Sequence, residues 1–535
     1  MVNGYVIALI VLLAYLGLVY VLKRTKWLDR HNMSLQGPIL MWRTRRGKDF
    51  IERLSSKKRF WSIYAKAALW ICLISMIAIM VLLLWEATIV PQIKKPPSPQ
   101  LILGIPGINP IIPIGYGIVG LVVAIVVHEF AHGILTRVGG MKVQNLGVVF
   151  LVVPIGAFVE PDEKELQQTT RSKRSKVYAV GPATNIVVSL IVLLVFSGLF
   201  MSSADPAHEG GLTVGVVDGS PAAHAGITAY CVIVSLDGTA VTSSSDLDAR
   251  VSSNPGGTVN VSYYYRGDLH STTMTDGVVV AFTANGFAAE KAGLGTGMVL
   301  TSLNGTPIGS FSALTDVMAH TRTGQIVSAT VLSYSATAGE FLVNTSISSI
   351  QLSDKYAYFK EFDPSHNSLS YQGVGYLGAS FLNLGMDVRN ASYYQEILAN
   401  PFSGDRSFSD VSYSALRLIA LPFLHLAPLR SPVTDLYHPS DALGWMPDSA
   451  FWILANTFYW IFWLNLMVGL TNVLPAVPLD GGYLFRDFID YLLSKTGRTY
   501  TKEQRDGIVG AVVLAIALLV LGLIAWQIVG PSLNL

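Results

Sequence analysis

Apolar residues along this chain gather into long runs separated by polar stretches of contrasting character. Tyr5 to Leu22, Trp61 to Trp85, Ile112 to Leu135, Val177 to Met201 and Phe451 to Leu474 each read as a spanning helix, with Gly507 to Val529 as a sixth. Each approaches or exceeds the roughly 20 apolar residues that a bilayer demands. Tyr413 to Leu429 is apolar too, but short and broken by Pro422 and Pro428, and reads as an interfacial or re-entrant helix. Val143 to Val159 is too short to cross as a helix and reads as apolar strands around Pro154-Ile155-Gly156.

The region after the fourth run has a different rhythm. Gly210 to about Thr275 and Gly277 to about Ile350 look like two copies of one plan. The first holds Gly219-Ser-Pro-Ala-Ala-His-Ala-Gly226 and then Val232-Ile-Val-Ser-Leu-Asp-Gly238. The second holds Asn285-Gly-Phe-Ala-Ala-Glu-Lys-Ala-Gly293 and then Met298-Val-Leu-Thr-Ser-Leu-Asn-Gly305. A small-residue helical turn, an apolar strand and an Asp-Gly or Asn-Gly turn predict a β-rich insert.

Charge orients the runs. Lys23, Arg24, Lys26, Arg30, Arg43, Arg45, Arg46, Lys48, Arg53, Lys57, Lys58 and Arg59 crowd the first loop, which the positive-inside rule makes cytoplasmic. Arg171, Lys173, Arg174 and Lys176, and later Arg486, Lys495, Arg498, Lys502 and Arg505, then also fall inside. The stretch from Ser202 to about Ser449 falls outside, provided that Tyr413 to Leu429 does not cross. The basic loop itself reads as a topology signal with lipid contacts. Asn260, Asn304, Asn344 and Asn390 lie in glycosylation sequons on the outer side.

Composition agrees with a membrane protein. Charged residues make up 13% of the chain, about half the share in soluble domains, and mean hydropathy is +0.46. A net charge of +2 argues for no nucleic-acid partner. Cys72 in an apolar run and Cys231 in the insert predict neither a disulfide nor a thiolate metal site. The first run has no charged segment before it and reads as a retained span.

The chemistry lies in the third run, at His128-Glu129-Phe130-Ala131-His132. Histidines at i and i+4 share one helix face and can share a zinc ion. Glu129 lies close enough to take a proton from the water that such an ion activates. Two histidines and a glutamate in a span are costly unless they serve a function. A catalytic zinc usually has three protein ligands, yet no Asp, Glu or His occurs between His132 and Glu160. Glu160 opens an acidic loop better read as solvated surface. Asp480 is the better candidate, in Asn472-Val-Leu-Pro-Ala-Val-Pro-Leu-Asp480-Gly-Gly482 at the end of the fifth run. The two glycines permit close backbone approach or positive φ. Pro475 and Pro478 break the helix, which at membrane depth suits backbone lining a protein cavity.

HExxH in one span, Gly181-Pro182-Ala183-Thr184-Asn185 opening the next and Asn472-x-x-Pro…Leu-Asp480-Gly in a later one resemble, in order, the site-2 protease family of intramembrane zinc metalloproteases. The repeats resemble circularly permuted PDZ domains. The resemblance implies one catalytic zinc held by His128, His132 and Asp480, with Glu129 as general base. It also implies that Asn185 and Asn472 position substrate or stabilise an oxyanion. In the family a β-hairpin-like element dips into the membrane where Val143 to Val159 lies, and an edge strand there could pair with an unwound substrate.

The expected architecture is a polytopic α-helical membrane protein with about six transmembrane helices and an extracytoplasmic insert of two β-rich PDZ-like domains. Residues 1–111 hold two helices and the basic loop, 112–201 the first half of the core, and 202–276 and 277–350 the PDZ-like domains. Residues 351–448 are an extracytoplasmic region with the interfacial helix, 449–485 the second half of the core, and 486–535 a cytoplasmic loop and last helix. The expected function is regulated intramembrane proteolysis, the hydrolysis of peptide bonds within or next to transmembrane segments. The partners are membrane-protein substrates, peptide segments at the PDZ-like domains and the lipid bilayer of the cell membrane, with the active site toward the cytoplasm. The competing reading is a membrane-tethered PDZ binding protein with a structural or vestigial metal site. A metal transporter would spread polar groups over several depths, whereas these are bunched at one. Simpler roles exist for single residues: an interhelical hydrogen bond for Asn185, a helix cap for Asn472, a helix start for Pro182, and solvated helix faces for Asp487 and Asp490.

Overall fold

The computed structural model describes residues 4–533 apart from 45–46, 93–97, 152, 252–253, 402–415 and 499. Arg45 and Arg46 of the basic loop and Tyr413–Ala415 of the expected interfacial helix lie outside the described residues. The chain forms two compact units. One comprises Met1–Gly198, Ile419–Pro428 and Ile453–Leu535, and the other Leu199–Leu418 and Leu429–Trp452.

The first unit is helical. Its main helices are α1 (Gly4–Arg24), α2 (Lys48–Ser55), α3 (Lys58–Ile89), α4 (Ile114–Val138), α5 (Arg171–Val195), α6 (Asp448–Asn472), α7 (Asp480–Lys495) and α8 (Lys502–Val529). The five helical segments Lys58–Gln92, Ile114–Val138, Arg171–Ser203, Asp448–Asn472 and Lys502–Val529 are long and apolar enough to cross a bilayer. Exposed apolar side chains such as Trp70 at 65%, Ile74 at 63% and Leu194 at 67% fit lipid better than water. The remaining expected span, α1, is helical and ends on Lys23 and Arg24. Of Tyr413 to Leu429, residues 416–420 are helical and give way to turns through Pro422.

The structure corrects the reading of Pro182 as a helix start: α5 begins at Arg171, and Pro182 lies inside it. The basic turn before the apolar run is itself helical and carries the helix out of the run. The basic loop, read as a topology signal, also folds into two strands. β1 (Met33–Gln36) and β2 (Ile39–Thr44) join β3 (Val143–Leu151) and β4 (Val153–Pro161) in one antiparallel sheet ordered β1-β2-β3-β4. Gly37, at φ 58°, makes the turn between the first two. Leu146 pairs with Val159 and Val148 with Ala157 across β3 and β4. β4 is thus an edge strand. A core of Ile51, Ala65, Ala131, Ile134, Leu146 and Val159 fastens α2, α3 and α4 to this sheet.

The second unit contains two sheets with one strand plan. The first uses β5 (Gly211–Val216), β6 (Val232–Leu236), β7 (Thr258–Tyr265) and β8 (Asp268–Thr275). The second uses β9 (Val278–Thr283), β10 (Val299–Leu303), β11 (Ile326–Ser335) and β12 (Glu340–Gln351). Each gains its last strand from the region 351–448, beyond both repeats: β13 (Ala379–Asn383) pairs with β9, and β14 (Met386–Asn390) with β5. The orders are β8-β7-β6-β5-β14 and β12-β11-β10-β9-β13. Leu384, between these strands, is fully buried in the core of the first sheet beside Ile233, Leu247 and Val261. The first sheet is therefore complete only after the second repeat has been traversed.

Candidate metal centre

The local sequence sets up the pieces. α4 carries the two histidines one turn apart on a single face. α6 ends at Asn472, and the proline-bearing turn that follows brings Asp480 into the first turn of α7, where the helix dipole favours a carboxylate. Gly481 makes this reversal feasible. A Cβ there would lie 2.2 Å from the Val473 carbonyl oxygen. The requirement is close approach, since neither Gly481 nor Gly482 has positive φ.

Three ligand atoms converge. His128 Nε2 and His132 Nε2 are 3.1 Å apart, and Asp480 Oδ2 lies 3.0 Å from the first and 3.2 Å from the second. His128, His132 and Asp480 form the one cluster of potential metal ligands among the described residues. Their side chains are 8%, 13% and 18% exposed, so the cluster is shielded without being sealed.

The hydrogen bonds around the cluster dictate its protonation. Asn185 Nδ2 donates to the Ala124 carbonyl at 2.9 Å, which fixes the amide orientation. Its Oδ1 then faces His128 Nδ1 at 3.0 Å, so that nitrogen must carry the proton. His132 Nδ1 faces the Val177 carbonyl at 2.7 Å and must also donate. In the neutral rings both Nε2 atoms are therefore bare lone pairs. Two bare nitrogens and a carboxylate oxygen at these separations repel one another unless a cation lies among them. Metal bonds of about 2.0–2.2 Å in a tetrahedral site put ligand atoms about 3.3 Å apart, close to the observed triangle. The residues present fit a divalent ion, and partners that fix the ring tautomers are what metal-binding histidines usually have.

Gly181 completes the cradle. A Cβ there would lie 2.3 Å from His132 Nε2 and 2.8 Å from His128 Nε2. Any larger residue would intrude on the ligand atoms, which gives Gly181 of the Gly-Pro-x-x-Asn sequence a steric purpose.

Glu129 stands beside the cluster as a separate group. Its Oε2 accepts the Val159 backbone N–H at 2.9 Å, on the edge of β4. Asn185 is fully buried and bound to His128, Ala124 and, at 3.4 Å, Asn465. Asn472 is not brought to the cluster by any described hydrogen bond: its Nδ2 donates to the Val468 carbonyl in its own helix at 3.0 Å. Asn465 escaped the sequence reading. Its signal was an amide in the middle of an apolar span, where it needs a partner.

A charge clamp braces the centre from outside, and it corrects the reading of Asp487 and Asp490 as solvated charges. The Asp487 side chain is 5% exposed. Arg174 Nε lies 3.1 Å from both its oxygens, the Arg174 Nη2 also donates to it, and Ser175 Oγ donates at 3.0 Å. Asp490, three residues on and on the same face, pairs with Arg171 and Arg505. α5, which carries Gly181 and Asn185, is thereby fixed to α7, which carries Asp480. Removing one member of such a pair leaves an uncompensated charge. Asp487→Ala is expected to destabilise the fold by about 3 kcal/mol, read as an earlier thermal unfolding transition in detergent. Exchanging the two residues should recover part of the loss.

The profile of peptidase family M50 matches residues 116–520. An uncharacterised protein of Methanocaldococcus jannaschii is 32% identical over 180 residues, covering 32% of this chain and 47% of that protein. A Brucella suis protein named "Putative zinc metalloprotease" is 28% identical over 180 residues, 26% of this chain and 46% of its own length. One of the same description from Clostridium perfringens is 27% identical over 169 residues, 30% and 49% of the two chains. The chain thus spans about half the length of the curated relatives it matches. The family match covers α4, α5, α6 and α7 and every residue of the metal cluster, and the chain is a multi-pass membrane protein belonging to peptidase family M50, the site-2 protease family.

Proposed function

We propose that this protein is an intramembrane zinc metalloprotease that hydrolyses peptide bonds within or next to transmembrane segments of other membrane proteins. The observation that carries this reading is the convergence of two imidazole Nε2 atoms and one carboxylate oxygen. His128, His132 and Asp480 hold the zinc ion. Bound there, zinc polarises a carbonyl and makes water acidic enough to react at neutral pH. Glu129 takes the proton from the attacking water and delivers it to the leaving amine. Asn185 keeps His128 in the tautomer that binds metal. Three protein ligands, with no fourth in the cluster among the described residues, favour catalysis, because purely structural zinc sites are closed by four.

The free edge of β4 gives the substrate its seat. A helical segment hides its carbonyls, so it must unwind before cleavage. An extended segment can add to β4 beside Glu129, with backbone hydrogen bonds supplying affinity. Six spans, α1 included, put the basic loop and the metal centre toward the cytoplasm and the β-rich unit outside, as the distribution of Lys and Arg supports. The two sheets of one plan are PDZ-like domains that select or exclude partners before they reach the centre. The protein acts in regulated intramembrane proteolysis.

The test uses the full-length protein in detergent or nanodiscs with a reporter bearing one transmembrane helix. Cleavage should stop on removal of metal by a chelator and return on addition of zinc. Cleavage that persists in a preparation shown by elemental analysis to be metal-free would overturn the proposal.

A further inference from the structure

A cavity of about 450 Å³ lies between α2, α3 and α4, lined by Phe50, Leu54, Phe60, Trp61, Phe130 and Ile134 among others. Its volume falls within the range of small-molecule sites, about 300–1,000 Å³. Its walls are fixed by named contacts. Trp61 Nε1 donates to the Leu54 carbonyl at 2.8 Å, and the Phe50 and Phe130 rings meet edge to face at 5.9 Å. The lining includes two hydroxyls, and both protons are committed. Thr184 donates to the Val180 carbonyl at 2.7 Å, which leaves Tyr64 to donate to Thr184 at 2.9 Å. No side-chain donor remains for an occupant, so the cavity suits an apolar one.

The chain that leads into Phe60 has the opposite character. Lys57, Lys58 and Arg59 immediately precede Phe60, all three are exposed, and no ion pair engages them among the described residues. Phe60 and Phe50 remain 58% and 52% exposed beside them. An aromatic slot whose lining residue Phe60 directly follows three exposed cations at the start of a spanning helix is complementary to an amphiphile with an anionic head. Basic sites between or beside transmembrane helices bind anionic lipid headgroups for this reason. A zwitterionic lipid would set its own ammonium against the same cations.

We propose that this cavity binds an anionic phospholipid, with one acyl chain among the aromatic rings and the phosphate at Lys57, Lys58 and Arg59. The bound chain would touch α4 at Phe130 and Ala131, the residues between His128 and the turn that carries His132. Lipid occupancy would thus bear on the helix that presents both imidazoles.

The experiment is native mass spectrometry of the full-length protein released from nanodiscs of phosphatidylglycerol or phosphatidylcholine with matched acyl chains. The wild type should retain the anionic lipid about tenfold more than the zwitterionic one. Lys57→Glu, Lys58→Glu and Arg59→Glu together should abolish that preference, and being exposed they leave the fold intact. Leu54→Trp, which fills the slot without touching the cations, should reduce retention of the anionic lipid by a similar factor. Equal retention of both lipids by the wild type, or undiminished anionic-lipid retention by either variant, would overturn the proposal. Retention is read without any peptidase assay, so the result is independent of the proposed function.

Discussion

Glu129→Gln should abolish proteolysis while leaving the metal in place. A general base contributes about 10²–10⁴-fold to such a reaction, so cleavage of a reporter helix should fall by at least that range. The argument for retained metal is geometric. The ligand cluster consists of His128, His132 and Asp480, and Glu129 is outside it. The argument for a retained fold is equally local. The Glu129 carboxylate accepts the Val159 N–H at 2.9 Å, and a glutamine side chain of the same length still offers a carbonyl oxygen to that donor. The amide cannot take a proton from water, and only this property changes. Zinc stoichiometry and reporter cleavage should be measured on the same preparation. A variant with full metal that cuts at the wild-type rate would remove Glu129 from the role of base.

Asp480→Ala should have the complementary signature, with metal and activity lost together. Two imidazole nitrogens 3.1 Å apart would remain, with only two protein ligands where a catalytic site uses three. Loss of an outer partner of a metal ligand typically weakens binding by about 10–100-fold, and loss of a ligand itself should exceed that. The fold should survive better than the site. α7 is still held by Arg174 on Asp487 and by Arg171 and Arg505 on Asp490, and alanine is a good helix former in its first turn. The measurement is zinc per protein after equilibrium dialysis, with thermal unfolding as the control. Full zinc occupancy at wild-type affinity would exclude Asp480 from the ligand set. Between them the two variants separate proton transfer from metal binding, which a loss of activity alone would not do.

Much of the membrane unit was legible because its signals are local. An apolar run long enough to span can satisfy its backbone in lipid only as a helix, so the expected spans reappear as helices with ends moved by a few residues. The i, i+4 spacing of His128 and His132 needs no more than helix geometry. What escaped was set by partners distant in sequence. Ile39–Thr44 is a strand because β3 offers it an edge, and Met33–Gln36 because Ile39–Thr44 then offers the next, and a basic loop does not advertise that. Asp487 looked like a surface charge until Arg174, 313 positions away, covered it. The β14 strand belongs to a sheet whose other members end before the second repeat begins, and its short apolar pattern names no partner.

Residue order alone specified the kind of chemistry. It put two imidazoles on one helical face, a carboxylate between them, and a second carboxylate beside glycines at a helix break. Folding in three dimensions decided whether those pieces meet. His128 and Asp480 are 352 positions apart yet 3.0 Å from atom to atom. The proton on each Nδ1 is assigned by Val177 and Asn185 on another helix. Gly181 is needed for the space that those imidazoles occupy. The physical division is one of range. Helix and strand period follow from covalent geometry within a few residues, whereas ligand distances, ring tautomers and ion pairs follow from which surfaces are buried together, and that is a property of the whole chain.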